Sequence, residues 1–157
     1  MSYPPKLADI ISLFESLPDL EKREALISYA EGAKNQTPRE GEVFDLEDVR
    51  KDEECTDTVG IFLKVNEDNS SHFRVTLGPQ VQTLTKAMTS ILCKGLEGMS
   101  PQDVLDVEAD FVPKIVGADL VRQRSQTVYY ILTRMKSAAK VWLNRRRAAD
   151  LNSDASA

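Results

Sequence analysis

Two apolar runs with a period of two residues lie in the middle of this chain, at 59–65 and 73–77. Alternation of apolar and polar residues is typical of a strand that buries one face. The polar segment 67–71 separates the runs and is typical of a turn, so together they predict an antiparallel hairpin. A weaker pattern at 43–49 predicts a short edge strand beside this hairpin.

Helical patterns flank the strands on both sides. The helical segments that we predict are 6–16, 19–34, 81–96, 101–106 and 124–147, with an irregular or helical stretch at 111–120. Asp19 is the expected N-cap of the second helix. Ser100, Pro101 and Asp103 form a capping box at the start of the fourth helix.

The strands are grouped together rather than alternating with helices, which is typical of the α+β class. We expect N-terminal helices, a small antiparallel sheet of about three strands, and C-terminal helices packed on one face. Residues 1–147 are expected to form a single domain, and residues 148–157 a polar, disordered tail.

Charge is distributed unevenly along the chain. Residues 40–57 carry nine acids and two bases, whereas residues 121–147 carry eight bases and no acid. The net charge of −5 argues against nucleic-acid binding by the chain as a whole. Two cysteines, an N-terminus unlike a signal sequence, and no apolar run near the roughly 20 residues that cross a bilayer predict a cytoplasmic protein without a membrane partner.

The chemistry of this sequence centres on Cys55, which stands in the acidic segment just before the first apolar run. A thiol at such a boundary is exposed at a loop but held by a rigid strand. The neighbouring carboxylates disfavour a thiolate, which argues against a redox switch that reacts by itself. Two interpretations remain: a thiol that reacts when a partner delivers an activated group, or a structural cysteine buried near the strand.

For the other residues that could bind a ligand or react, a structural interpretation is available. Cys93 lies within a predicted helix and is expected to be a small buried hydrophobe, and His72 is expected to be a surface histidine. No cysteine or histidine spacing typical of zinc occurs, and no phosphate-binding loop occurs, so we expect neither a metal nor a cofactor. The basic helix at 124–147 is either a solvated amphipathic face or a surface that binds an anionic partner.

Four short motifs occur in a familiar order. They are the segment at 13–27 (LFESLPDLEKREALI), the step Cys55-Thr-Asp-Thr-Val59, the segment at 98–104 (GMSPQDV), and Arg124-Ser125-Gln126. In this order the chain resembles the SufE family of sulfur-acceptor proteins, which help cysteine desulfurases to build iron–sulfur clusters. The resemblance covers about residues 6–142.

The resemblance implies that Cys55 accepts persulfide sulfur from a SufS-like cysteine desulfurase, stimulates its turnover and delivers the sulfur to an iron–sulfur scaffold complex. The protein would then be an activator and sulfur carrier, a monomer or weak homodimer, rather than a stand-alone enzyme. Arg124 is the expected cation that stabilises the thiolate or persulfide. The expected partner-docking residues are Asp52, Glu53, Glu54, Asp57 and Ser125. The alternative function is a non-catalytic module that binds nucleic acid or an acidic protein through the basic helix.

Overall fold

The computed structural model describes residues 3–53 and 57–156. Its three strands are β1 (Leu46–Arg50), β2 (Val59–Val65) and β3 (Ser71–Leu77), and both neighbouring pairs are antiparallel in the order β1-β2-β3. The predicted hairpin and edge strand are therefore confirmed, although the edge strand begins three residues later than the pattern at 43–49 indicated.

The alternating pattern has the expected physical basis. Ile61 pairs with Val75 across β2 and β3, and Leu63 pairs with Phe73. All four side chains are buried, because residues two apart on a strand point to the same face. This face of the sheet forms one wall of the core.

The remaining walls are helical. The α-helices are α1 (Pro5–Ser16), α2 (Asp19–Glu31), α3 (Thr83–Gly95), α4 (Pro101–Asp106), α5 (Val112–Val116) and α6 (Ala118–Ser156), with short 3₁₀ turns at Gly32–Gln36 and Ala109–Phe111. Helix α3 contacts α1, α2, α6 and β3, and α6 also contacts β1 and β2. The fold class is α+β, as the sequence predicts. In the described part of the chain, no helix has both the length and the apolar character to cross a bilayer.

Two helix boundaries differ from the predictions. Asp19 is not the N-cap of α2, because Pro18 occupies that position and Asp19 is already the first helical residue. Helix α6 runs from Ala118 and is interrupted by a kink at Arg124, with φ −136° and ψ 37°, so the helical segment after the kink starts where the sequence predicts. The helix also continues to Ser156, beyond the expected end near residue 147. The division into one domain and a tail stays a prediction.

Predictions for three individual side chains can be compared with the structure. Ser100 caps α4 as expected, since its Oγ accepts a hydrogen bond from the Asp103 backbone N–H at 3.1 Å. Cys93 is buried, also as expected. The prediction for His72 was wrong: its ring lies between two carboxylates, 2.9 Å from Glu97 and 3.1 Å from Glu42. Tertiary contacts from the segment before β1 and from the end of α3 cover this histidine.

Candidate functional site

The candidate site is the segment that joins β1 to β2, residues 51–58, here called the Cys55 connection. Its two ends are fixed by the sheet, because Arg50 and Val59 pair across the two strands. Cys55 and Glu54 lie outside the described residues, as does Thr56. The structure describes the site through two stems, each of which includes the adjoining end of a strand. The N-terminal stem is residues 48–53, and the C-terminal stem is residues 57–59.

The N-terminal stem is tied to α6 through Asp52. The Tyr130 hydroxyl donates a hydrogen bond to Asp52 Oδ2 at 2.9 Å, and Arg50 Nε lies 2.9 Å from Oδ1. Burial opposes ionisation of this carboxyl, but the hydrogen bonds from Tyr130 and Arg50 outweigh it, so the pKa of Asp52 is lowered. Burial and the hydrogen bond to Asp52 raise the pKa of Tyr130 to about 12, which keeps its hydroxyl a neutral donor.

Arg134 joins both stems. Its guanidinium is 2% exposed, and Nη2 donates to the backbone carbonyl oxygens of Asp48 at 2.8 Å and Val59 at 3.0 Å. Its Nη1 lies 2.6 Å from the Tyr130 hydroxyl and 3.4 Å from Asp52 Oδ2. A planar guanidinium presents several donors in fixed directions, so a single side chain can bind the end of one strand and the start of the next.

Sequence reasoning missed this role of Arg134 by counting the residue among the bases of a solvated face. A signal was present, because Arg134 lies three residues after Ile131 and four before Ala138. At helical spacing that position shares a stripe with the apolar residues. A lone arginine on an apolar stripe predicts a buried guanidinium with acceptors on a neighbouring element.

The C-terminal stem is tied to the turn that follows β3. The Asp57 carboxylate accepts hydrogen bonds from the backbone N–H groups of Gln80 at 2.9 Å and Thr58 at 2.7 Å. These two bonds lower the pKa of Asp57. The approach is close, since a Cβ on Gly78 would lie 2.2 Å from the Asp57 carboxyl carbon. Gly78 therefore provides the space that the aspartate occupies.

Arg124 lies near this turn. Its Nη1 donates a hydrogen bond to Gln82 Oε1 at 2.9 Å, and Gln82 is two residues beyond Gln80. Arg124 and Asp57 thus bind opposite ends of one short segment. Whether the guanidinium approaches Cys55 stays a prediction, because Cys55 lies outside the described residues.

The other expected docking residues are less constrained. Glu53 and Ser125 are exposed. Within the described part of the chain, no side-chain hydrogen bond joins Ser125 to either stem of the Cys55 connection. Their part in partner docking stays a prediction.

The eight bases of α6 do not form one free cationic face. Arg134 is buried, Lys136 donates to the backbone carbonyl of Val107, and Arg122 pairs with Asp119. Arg146 lies 3.9 Å from Asp150. Several of the charges are thus bound within the chain, which weakens the case for a nucleic-acid surface on this helix.

Cys93 offers little reactivity of its own. It is 2% exposed within α3, and burial raises the pKa of its thiol to about 12. Among residues 3–53 and 57–156, no group of three or more His, Cys, Asp or Glu side chains is arranged to hold a metal ion. Of the two cysteines, Cys55 therefore stays the predicted site of thiol chemistry.

The chain is similar to known proteins in sequence and in fold. The family model SufE, the Fe–S metabolism associated domain, matches residues 8–139, and no curated protein matches. A hypothetical protein from Thermus thermophilus, solved in solution, is 26% identical with a TM-score of 0.67, over 91% of this chain and 99% of that one. The N-terminal part of a NifU-like, nitrogen-fixing protein from Brucella abortus is 12% identical with a TM-score of 0.56, over 78% of this chain and 96% of that one, and shares the fold alone. Because the family model matches residues 8–139, which is most of the chain, the chain belongs to the SufE family of Fe–S metabolism associated domains.

Proposed function

We propose that this protein is a sulfur carrier of iron–sulfur metabolism. Cys55 accepts sulfane sulfur from the persulfide of a cysteine desulfurase, which frees the desulfurase for another turnover. The sulfur then passes to an iron–sulfur scaffold complex. Membership of the SufE family supports the metabolic setting, and the position of Cys55 between β1 and β2 supports its role as the acceptor.

The transfer is an exchange between a thiol and a persulfide. The Cys55 thiolate attacks the terminal sulfur of the desulfurase persulfide, and a new S–S bond forms on Cys55. The S–S bond on the desulfurase breaks, and its electron pair leaves with the desulfurase cysteine as a thiolate. The proton lost by Cys55 goes to that leaving thiolate. No external oxidant or reductant is required.

The strongest support is the way in which both stems of the Cys55 connection are fixed from outside. Arg134 and Tyr130 of α6 hold the N-terminal stem, and the backbone N–H of Gln80 holds Asp57 of the C-terminal stem. A nucleophile mounted on a short segment between rigid anchors is presented to a partner with little loss of conformational freedom.

Arg124 is the proposed stabiliser of the Cys55 thiolate or persulfide. Its side chain binds Gln82, in the same turn whose Gln80 binds Asp57, only two residues from Cys55 in sequence. A guanidinium near a thiol favours the anionic form by Coulombic attraction. The acids of the Cys55 connection, Asp52, Glu53, Glu54 and Asp57, would meet a basic rim on the desulfurase and steer the encounter.

The test is intact-mass analysis after incubation with a cysteine desulfurase and free cysteine. We expect a gain of one sulfur atom that a dithiol reverses, that maps to Cys55 and that is absent from Cys55→Ser. Cys93→Ala is the matched control, and it should load as wild type does because Cys93 is buried with a pKa of about 12.

The contradicting outcome is a folded sample that gains no sulfur from any of several desulfurases. In that case salt-sensitive binding of an anionic partner by α6 would replace the carrier function. That binding should survive Cys55→Ser and fail when Arg145, Arg146 and Arg147 are neutralised.

A further inference from the structure

We propose that a groove beside the Cys55 connection binds an acidic, amphipathic segment of the sulfur-donating partner protein. The groove, here called the α2 groove, has a volume of about 500 Å³ and lies between α2, the start of α3 and the start of α6. This inference rests on the proposed carrier function, and names the second surface by which the partner is held.

The floor and walls of the α2 groove are apolar. Leu26 and Ala87 are buried beneath it, and Leu84 and Leu120 are partly buried. Ile27 lies on its wall and leaves 47% of its surface exposed. Covering that surface with an apolar side chain of a partner would be favourable at roughly 25 cal/mol for each Å² removed from water.

The charges that line the α2 groove are of one sign. Arg23 and Arg124 both contribute to its lining, and among residues 3–53 and 57–156 no carboxylate does. Across the described residues, neither arginine forms a salt bridge, whereas Arg122 nearby pairs with Asp119. In a chain of net charge −5, two arginines without carboxylate partners beside an apolar floor favour an occupant that supplies carboxylates.

The groove is continuous with the candidate site. Gln82 lines it and binds Arg124, and Gln80 at the other end of the same segment binds Asp57. An occupant would therefore lie beside the C-terminal stem of the Cys55 connection. The basic groove and the acidic connection form neighbouring patches of opposite sign, and a partner with the complementary pair of patches can dock in one orientation only.

The experiment measures the equilibrium dissociation constant for a cysteine desulfurase that loads Cys55 of the wild-type protein. We expect Ile27→Asp and Arg23→Glu each to weaken binding by about tenfold or more, since a charge is placed against an apolar contact or its sign is reversed. Sulfur loading at saturating desulfurase should reach the wild-type extent, because neither residue takes part in the transfer.

Leu13→Asp is the matched control. Leu13 is an exposed leucine on α1 that does not line the groove. It is 46% exposed, compared with 47% for Ile27. It should bind the desulfurase as wild type does. Arg23 and Ile27 are exposed, so their variants should keep the wild-type circular dichroism and unfolding midpoint.

Three results would overturn the inference. If both variants bind like wild type while Cys55 still loads, the groove proposal fails and the carrier function stands. If wild-type Cys55 gains no sulfur, the carrier function and the groove proposal fail together. If Ile27→Asp turns a wild-type dimer into a monomer and leaves desulfurase binding unchanged, a second copy of this chain is the occupant.

Discussion

The two connections of the sheet are held in different ways. The turn between β2 and β3, residues 66–70, is held by its own residues. The Cys55 connection between β1 and β2 is held by residues of α6 and of the turn after β3. The β2–β3 turn is thus stabilised by local hydrogen bonds, whereas the described stems of the Cys55 connection are held by the rest of the fold.

The β2–β3 turn satisfies its polar groups within five residues. The Asn69 backbone N–H donates to the Asn66 carbonyl at 2.9 Å, and the Asn66 N–H donates to the Ser70 carbonyl at 2.9 Å. The Asp68 carboxylate accepts from the Ser70 hydroxyl at 2.6 Å. Asn69 adopts a positive φ of 68°, a conformation that asparagine tolerates better than most residues.

The Cys55 connection relies on partners that are remote in sequence. Asp52 and Tyr130 are 78 positions apart, and Val59 and Arg134 are 75 apart. Contacts of this kind exist only once α6 has packed on the sheet. We infer that both stems of the Cys55 connection depend on the packing of α6 and of the turn after β3, whereas residues 66–70 form most of their polar contacts locally.

The largest expected effect comes from Arg134→Met. Loss of the guanidinium leaves the carbonyl oxygens of Asp48 and Val59 without this donor and removes one of the cations beside Asp52. We therefore expect the free energy of unfolding to fall by about 3 kcal/mol. Urea unfolding followed by circular dichroism measures this. Hydrogen exchange should accelerate at the Thr58 amide and stay unchanged at the Asn69 amide under conditions where the variant remains folded.

Arg146→Met is the control for that substitution. The same change on the same helix removes a guanidinium that is 67% exposed, so its effect should stay within about 0.5 kcal/mol. Equal destabilisation by the two variants, or equal acceleration of exchange in both connections, would contradict the proposed coupling.

Asp52→Asn should have an intermediate effect that depends on pH. The pKa of Asp52 is lowered in the folded state from its ordinary value of 3.8, so its stabilisation is present above that value and is lost as the pH falls through the lower folded pKa. Near neutral pH the variant should be less stable by about 1 kcal/mol. The difference from wild type should shrink as the pH falls below about 4.

Unfolding curves between about pH 2.5 and pH 7 measure that difference. Asp150→Asn is the control, because the Asp150 side chain is 70% exposed at the far end of α6. A stability difference for Asp52→Asn that stays constant across the whole range would show that its ionisation contributes nothing.

The smallest expected effect comes from Asn69→Ala in the other connection. Alanine at a positive φ should cost less than about 1 kcal/mol, because asparagine already bears part of that cost, whereas Asn69→Gly should be close to neutral. Thermal unfolding distinguishes the two variants. Sulfur loading of Cys55 should be unchanged in both, and a loss of loading would mean that the two connections are not independent.

Much of this fold could be predicted from the sequence because its signals are local. The period of two in β2 and β3, the capping box at Ser100 and the burial of Cys93 each follow from neighbouring residues. The full length of α6 could not be predicted, since helical residues from Ala118 precede the kink at Arg124 and the helix continues to Ser156. Helix propensity does not specify a kink that is accompanied by a side-chain hydrogen bond to Gln82.

The sequence by itself determined the strand pattern, the α+β class, the family and the choice of Cys55 as the candidate thiol. Only the tertiary structure decided what surrounds that candidate. It buried Arg134 against both stems, placed Asp57 on the backbone of Gln80, and enclosed His72 between two carboxylates. The reason is physical: periodicity and capping act over a few residues, whereas the environment of a charged side chain depends on acceptors that are brought to it from other elements.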